Sequence, residues 1–333
     1  MYEAFIELFG EQRTFYFDEI QNIIGWERFV RRLYDSGCKV FITGSNANML
    51  SRELGTHLTG RYCQIELYPF SFSEFLKMKD EYPERKDFYT TTGKSNLRRL
   101  FEEYLKTGGF PRYIQDMNGN YLTTLYENII YKDVITRNKL NGERELLEMI
   151  YYLASNATKR FSYNSLAKVV EIKHPDTVKN YLEYIESTYL LSQVMRFDWS
   201  VKKQIGYQKK VYFIDNAIIN KVGFNATDNI GQLLENLVFI QLKRQHKEVY
   251  YHDNGVECDF VVREDGHIIS AFQVTRSLSD VKTKQREING LLSALNAYNL
   301  MEGIILTADE TEELIIEGKK INIYPIWKWL LQG

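Results

Sequence analysis

The chain has 333 residues, 44% hydrophobic and 26% charged, and its 42 Lys+Arg nearly cancel its 44 Asp+Glu to leave a formal net charge of −2. This composition excludes a disordered tail and a collagen-like fibre, the length allows two or three domains with cores of their own, and the near-neutral balance excludes a global pull toward nucleic acid or anionic lipid. Cys38, Cys63 and Cys258 lie far apart without a C-x-x-C pair, and acids at 3, 7 and 11 interrupt the start, so no disulfide framework, zinc site or secretory leader is implied. No apolar run reaches the ~20 residues of a membrane span. A cytoplasmic protein is expected.

Residues 13–17, RTFYF, form a short apolar run that ends in Asp18-Glu19, as a buried parallel strand does at its C-terminal end. Trp26, Phe29, Val30 and Leu33 at i, i+3, i+4 and i+7 predict a helix over 26–35. KVFIT at 39–43 reads as a second buried strand, closed by Gly44-Ser45-Asn46, and a third is expected near 62–67. Ser71 with Glu74 three residues on offers an N-cap. The alternation implies part of a parallel α/β sheet.

From 96 to 140 the period is helical, with a break at Thr107-Gly108-Gly109-Phe110-Pro111. Helices at 146–156, 163–170 and 176–187, then strands near 190–197 and 208–214, make a winged-helix pattern. The remainder reads as a second α/β unit: helix 231–245, strands near 249–252, 257–262 and 268–275, helix 280–297 and strand 303–307. Trp327 and Trp329 are expected in a packed terminal segment.

An apolar strand ending in two acids is the Walker B pattern of P-loop ATPases. The first acid holds Mg²⁺, usually through water, and the second polarises the attacking water. At the end of the next strand such enzymes place a polar sensor, for which Asn46 is the candidate. Asn46 is equally suited to cap a following helix.

The segments FYFDEIQN, VFITGSN, LTGRY and LYPFSFSEF resemble a large group of prokaryotic AAA-type ATP-binding proteins. The C-terminal half of that group is a domain of unknown function, which GGFPRYI, ENIIYKDVITR, LLENLVFIQL, ECDFVV and QVTRSLSDVKTKQREI resemble in turn. The resemblance implies ATP and Mg²⁺ as cofactors, Asp18 and Glu19 as the Walker B pair, Asn46 as sensor, and Arg61 as an arginine finger acting on a neighbouring subunit of a homo-oligomer. Members begin with a G-x-x-x-x-G-K-S/T loop whose backbone N–H groups cradle phosphate. Gly93-Lys94-Ser95 does not qualify, because Phe88 stands where the first glycine belongs and the triplet follows the Walker B strand. Seventeen residues precede Asp18, against the about 60 that the missing strand and helix need. The sequence therefore reads as a shortened member or one with a late start, binding ATP poorly as given.

Residues 146–210 hold ten Lys/Arg and six acids, a local balance of +4. The helix 176–187 carries Lys179 against Asp176, Glu183 and Glu186, which repels phosphate, so nucleic acid is expected at the wing, through Lys202, Lys203, Lys209 and Lys210. In the last unit Glu235, Asp259 and Gln273-Val274-Thr275 follow the order of the restriction-endonuclease-like PD-(D/E)XK fold, which implies a degenerate Mg²⁺ site of Glu235, Asp259 and Gln273. Thr275 stands where that fold keeps a lysine. The expected architecture is α/β throughout: a partial P-loop sheet (1–80), a helical lid (81–145), a winged helix (146–215) and a nuclease-like domain (216–333). The expected function is that of an AAA-type ATPase, with a non-enzymatic DNA- or protein-binding module and a Mg²⁺-dependent nuclease as alternatives.

Overall fold

The structure, a computed structural model, describes residues 2–20, 23–44, 62–224 and 229–332. Helix α1 (Tyr2–Phe9) leads into β1 (Thr14–Phe17), and α2 (Trp26–Asp35) returns the chain to β2 (Lys39–Ile42), which pairs with β1 in parallel. Helix α2 fills the span its apolar spacing predicts, burying Trp26, Val30 and Leu33 against the face that carries Phe15. The other face is not buried as the apolar runs suggested. Tyr16 and Phe41 stack there at 4.9 Å and stay 75% and 41% exposed.

Residues 62–67 form no strand, and Ile65 and Leu67 lie exposed. A strand needs a neighbour with free N–H and C=O groups, and among the described residues β1 and β2 pair only with each other. Helix α3 (Phe72–Met78) begins as expected: Ser71 Oγ accepts from the Glu74 N–H at 3.2 Å while the Glu74 carboxylate accepts from the Ser71 N–H at 2.8 Å. Helices α4 (Thr91–Thr107), α5 (Pro111–Asp116) and α6 (Gly119–Glu127) follow, and α6 runs into a π-helical stretch, Asn128–Thr136.

Next come α7 (Glu143–Ser155), β3 (Arg160–Phe161), α8 (Tyr163–Val169), α9 (Pro175–Glu186), β4 (Leu191–Met195), α10 (Val201–Gly206) and β5 (Lys209–Phe213). Strand β5 is the centre of an antiparallel sheet β3-β5-β4, and all five of its residues are buried. Its link to β4 is not a tight hairpin but carries α10. Helices α11 (Asn216–Val222) and α12 (Ile230–Arg244) precede the last sheet. That sheet is built from β6 (Glu248–Asp253), β7 (Glu257–Glu264), β8 (His267–Val274), then, after α13 (Val281–Ala297), β9 (Glu302–Thr307), β10 (Glu312–Ile316) and β11 (Lys319–Pro325), with α14 (Ile326–Trp329) last. Its order is β10-β11-β9-β8-β7-β6, with the β8–β9 and β9–β11 pairs parallel. Trp327 is buried in the apolar core that runs from Phe72 to Leu330 and joins both larger sheets to the helices before them.

The segments that meet in this core are fixed by buried polar groups. Gly108 turns the chain at φ +69, and the Asp215 carboxylate lies against it, accepting from the Gly109 N–H and from the Ala217 N–H at 2.7 Å each. Gly109 C=O accepts from the Phe70 N–H at 2.7 Å, and Arg244 donates to Pro69 C=O at 2.8 Å. Burial pushes the Asp215 carboxyl up to about 7, further than those two N–H groups and Arg244 draw it down.

The folded state therefore favours protonated Asp215. Its contribution is complete below the ordinary aspartate value near 4 and is lost as pH rises through about 7. Between about pH 4 and about pH 8 the thermal midpoint of the wild type is expected to fall relative to that of Asp215→Asn. A constant difference between the two across that range would refute the assignment.

Candidate functional site

Because β1 and β2 run parallel, their C-terminal ends lie side by side, the position at which open α/β sheets bind ligands. Thr43 N–H donates to Phe17 C=O at 2.9 Å, Glu19 N–H donates to Thr43 C=O at 3.1 Å, and the Thr43 hydroxyl donates to Asp18 Oδ1. Asp18 is exposed, whereas Glu19 is half-buried in the left-handed region at φ 49. An exposed carboxylate beside a hydroxyl is an oxygen donor set that suits Mg²⁺. Asn46 and Arg61 lie outside the described residues.

Two residues near Glu19 had no role in the sequence reading, although both fall in ENIIYKDVITR. Asp133 and Arg137 sit on the π-helical stretch and its continuation, one turn apart, with Arg137 Nη2 3.4 Å from Asp133 Oδ1. Burial raises the Asp133 carboxyl above the usual range; Arg137 pulls it down and the charge of Glu19 pushes it up. Arg137 Nη1 is buried with no hydrogen-bond partner among the described residues. A run of i→i+5 hydrogen bonds is rare and favours functional positions, and it was the structural signal that the sequence did not carry. Gly93-Lys94-Ser95 lies in the first turn of α4, its Gly93 N–H capped by Thr90 Oγ1 at 3.2 Å, so it cradles no phosphate.

A second cluster lies between β5, α12 and β7. The structure brings Glu235, Asp259 and Gln273 together, and adds Glu257 and Lys210. Lys210 Nζ lies 2.9 Å from Glu235, 2.6 Å from Glu257 and 3.1 Å from Asp259. Tyr212 donates to Glu235 at 2.6 Å, Asp259 N–H donates to the Gln273 side-chain carbonyl at 3.1 Å, and the Gln273 amide donates to Glu287. Burial opposes the charge on Lys210, yet the surrounding carboxylates carry its pKa well above the ordinary lysine value. Arg160 pairs with Glu257 at 3.1 Å and also with Asp253, so four carboxylates face the two cations Lys210 and Arg160. Burial and, after it, the charge of Asp259 raise Glu235 above its usual range, against the pull of Lys210. Among the described residues no three His, Cys, Asp or Glu side chains are arranged to hold a metal ion.

The expected wing surface needs correction. Lys210 is buried in this cluster, and Lys209 is buried too, donating to Ile205 and Tyr207 carbonyls at 3.0 and 3.2 Å over the Tyr163 ring. Only Lys202 and Lys203 of the four are exposed, on α10. No helix among the described residues is long and apolar enough to cross a membrane.

Residues 1–76 match the model of an AAA domain, and residues 98–228 match a domain of unknown function, DUF8612. The chain is 33% identical to the uncharacterized protein MJ1544 of Methanocaldococcus jannaschii over 96% of this chain and 75% of that protein. It is 28% identical to an uncharacterized protein of Haemophilus influenzae, over 97% and 78% of the two chains. A second M. jannaschii protein, MJ1637, is 26% identical over 99% and 73%. No solved structure matches the chain. At this identity and coverage the chain belongs to the protein family of M. jannaschii MJ1544, with an AAA-domain match at its N-terminal end and the DUF8612 match behind it.

Proposed function

We propose that this protein, in a full-length form that carries the phosphate-binding loop, serves ATP hydrolysis of the AAA type, with Asp18 and Glu19 at the reacting centre. A winged-helix unit (146–215) and a nuclease-like unit (216–333) take up the resulting movement. The observation that carries the reading is the Asp18–Thr43 contact at the paired C-terminal ends of two parallel strands. When bound, Mg²⁺-ATP supplies the phosphoryl group and the charge neutralisation that its transfer needs. Asp18 would hold the metal, Thr43 fixes the Asp18 rotamer, and Glu19 would orient the attacking water and take its proton. Asn46 is the proposed sensor and Arg61 the proposed finger toward a neighbouring subunit.

The test is Mg²⁺-ATP hydrolysis by the protein purified from its own cells, beside its Glu19→Gln variant. Removal of a positioned base is expected to lower turnover about 100-fold or more while a fluorescent ATP analogue still binds. Salt-sensitive DNA binding with no effect of nucleotide would instead favour a non-enzymatic module that contacts phosphate through Lys202 and Lys203.

A further inference from the structure

An ammonium has three N–H bonds and accepts nothing, and Lys210 Nζ meets three carboxylates, of Glu235, Glu257 and Asp259. Its side chain is 3% exposed and comes from β5 of the three-stranded sheet, whereas the acids stand on α12 and β7 of the unit that follows. We propose that Lys210 is a built-in cation, standing among these three carboxylates in place of a metal ion, so that the centre is a permanent clip between two sheets and not a hydrolytic metal site.

The atoms around Lys210 are committed in the same sense. The second oxygen of Asp259 accepts from Val274 N–H at 2.9 Å, and Glu235 also accepts from Tyr212. Gln273 accepts from Asp259 N–H through its carbonyl and donates to Glu287 through its amide, so both ends of its side chain are already engaged. A cleft of about 510 Å³, lined by Thr158, Lys159 and Arg160 and floored by Lys210, Glu235 and Glu257, leads to the cluster. A small ion can therefore reach it, but a divalent ion would have to displace the ammonium.

The experiment follows Mn²⁺ by paramagnetic resonance and by its effect on the thermal midpoint, in the full chain. The wild type is expected to bind no Mn²⁺ here and to keep its midpoint. Lys210→Ala is expected to lose about 10 °C, to bind Mn²⁺, and to regain part of that loss when Mn²⁺ is added. Asp259→Asn in the Lys210→Ala background is expected to abolish the regain. Should Lys210→Ala fold only when refolded with Mn²⁺, the proposal is supported; failure in Mn²⁺ as well would overturn it. Saturable Mn²⁺ binding by the wild type that Asp259→Asn removes would also overturn it.

Discussion

Gly108→Ala is expected to destabilise the folded state severely. A Cβ at this position would stand 1.6 Å from Asp215 Oδ1, in a backbone conformation, φ +69, that side chains other than glycine's rarely adopt. Asp215 cannot retreat without releasing the N–H groups of Gly109 and Ala217. Gly109 cannot yield either, since its own Cβ position lies 2.1 Å from the backbone oxygen of Phe70. Steric strain and two buried unpaired donors together cost about 4 kcal/mol or more, a large part of the stability of an ordinary domain. Urea unfolding followed by far-UV circular dichroism measures it. Gly119→Ala is the control, since nothing lies within 4 Å of its Cβ position, and it is expected to change stability by less than about 1 kcal/mol. A Gly108→Ala protein with the wild-type urea midpoint would contradict this account of the turn.

Asn236→Leu carries the second large effect. The Asn236 amide does for β5 what a neighbouring strand would do: Oδ1 accepts from Phe213 N–H at 2.8 Å and Nδ2 donates to Phe213 C=O at 3.1 Å and to Asn216 Oδ1 at 3.0 Å. Asn236 is fully buried, so leucine of similar volume fills the space but leaves a buried donor and acceptors unpaired. At about 1–3 kcal/mol for each such group, the loss is expected to reach about 3 kcal/mol or more. Hydrogen exchange at the Phe213 amide is expected to accelerate more than at Leu191, its antiparallel partner on β4. Asn236→Asp is expected to be no milder, because a carboxylate keeps the bond from Phe213 N–H but turns an oxygen toward two acceptors. Unchanged exchange at Phe213 would show that the amide pairing is dispensable.

The parts legible in the sequence were those whose physics is local. Trp26, Phe29, Val30 and Leu33 define a face by spacing alone, and Ser71 with Glu74 satisfies the first turn of α3 within four residues. The end of β1 at Phe17, just ahead of Asp18 and Glu19, was readable because a short apolar run ends there. Lys210 was not, since a lysine near a wing reads as solvated charge, and the acids that hold it follow 25 and 49 residues later. The unbroken run Val211-Tyr212-Phe213 was the available sign that both faces of β5 are covered. The β10–β11 hairpin turns at Glu317-Gly318, both at positive φ, a two-residue turn whose glycine is its one local mark in the sequence. Residues 62–67 failed in the opposite sense, because strand-forming composition does not provide a strand partner.

The polar junction that holds Gly109 also sets a schedule. Its partner Asp215 lies 106 residues further along, and Asn216 and Asn220 reach back 111 and 114 residues to the last turn of α4. A chain emerging from the ribosome at about 5–20 residues per second exposes Gly109 roughly 5–20 s before its acceptor exists. During that interval α3 and α4 can close on each other through Phe72, Phe75, Phe101 and Tyr104, but the junction at Gly109 stays open, and the loop-closure entropy of a hundred-residue span must be met in one late step. Assembly of the middle of this protein is therefore gated by completion of β5. The nascent chain is most open to proteolysis and mispairing just before residue 215 leaves the tunnel.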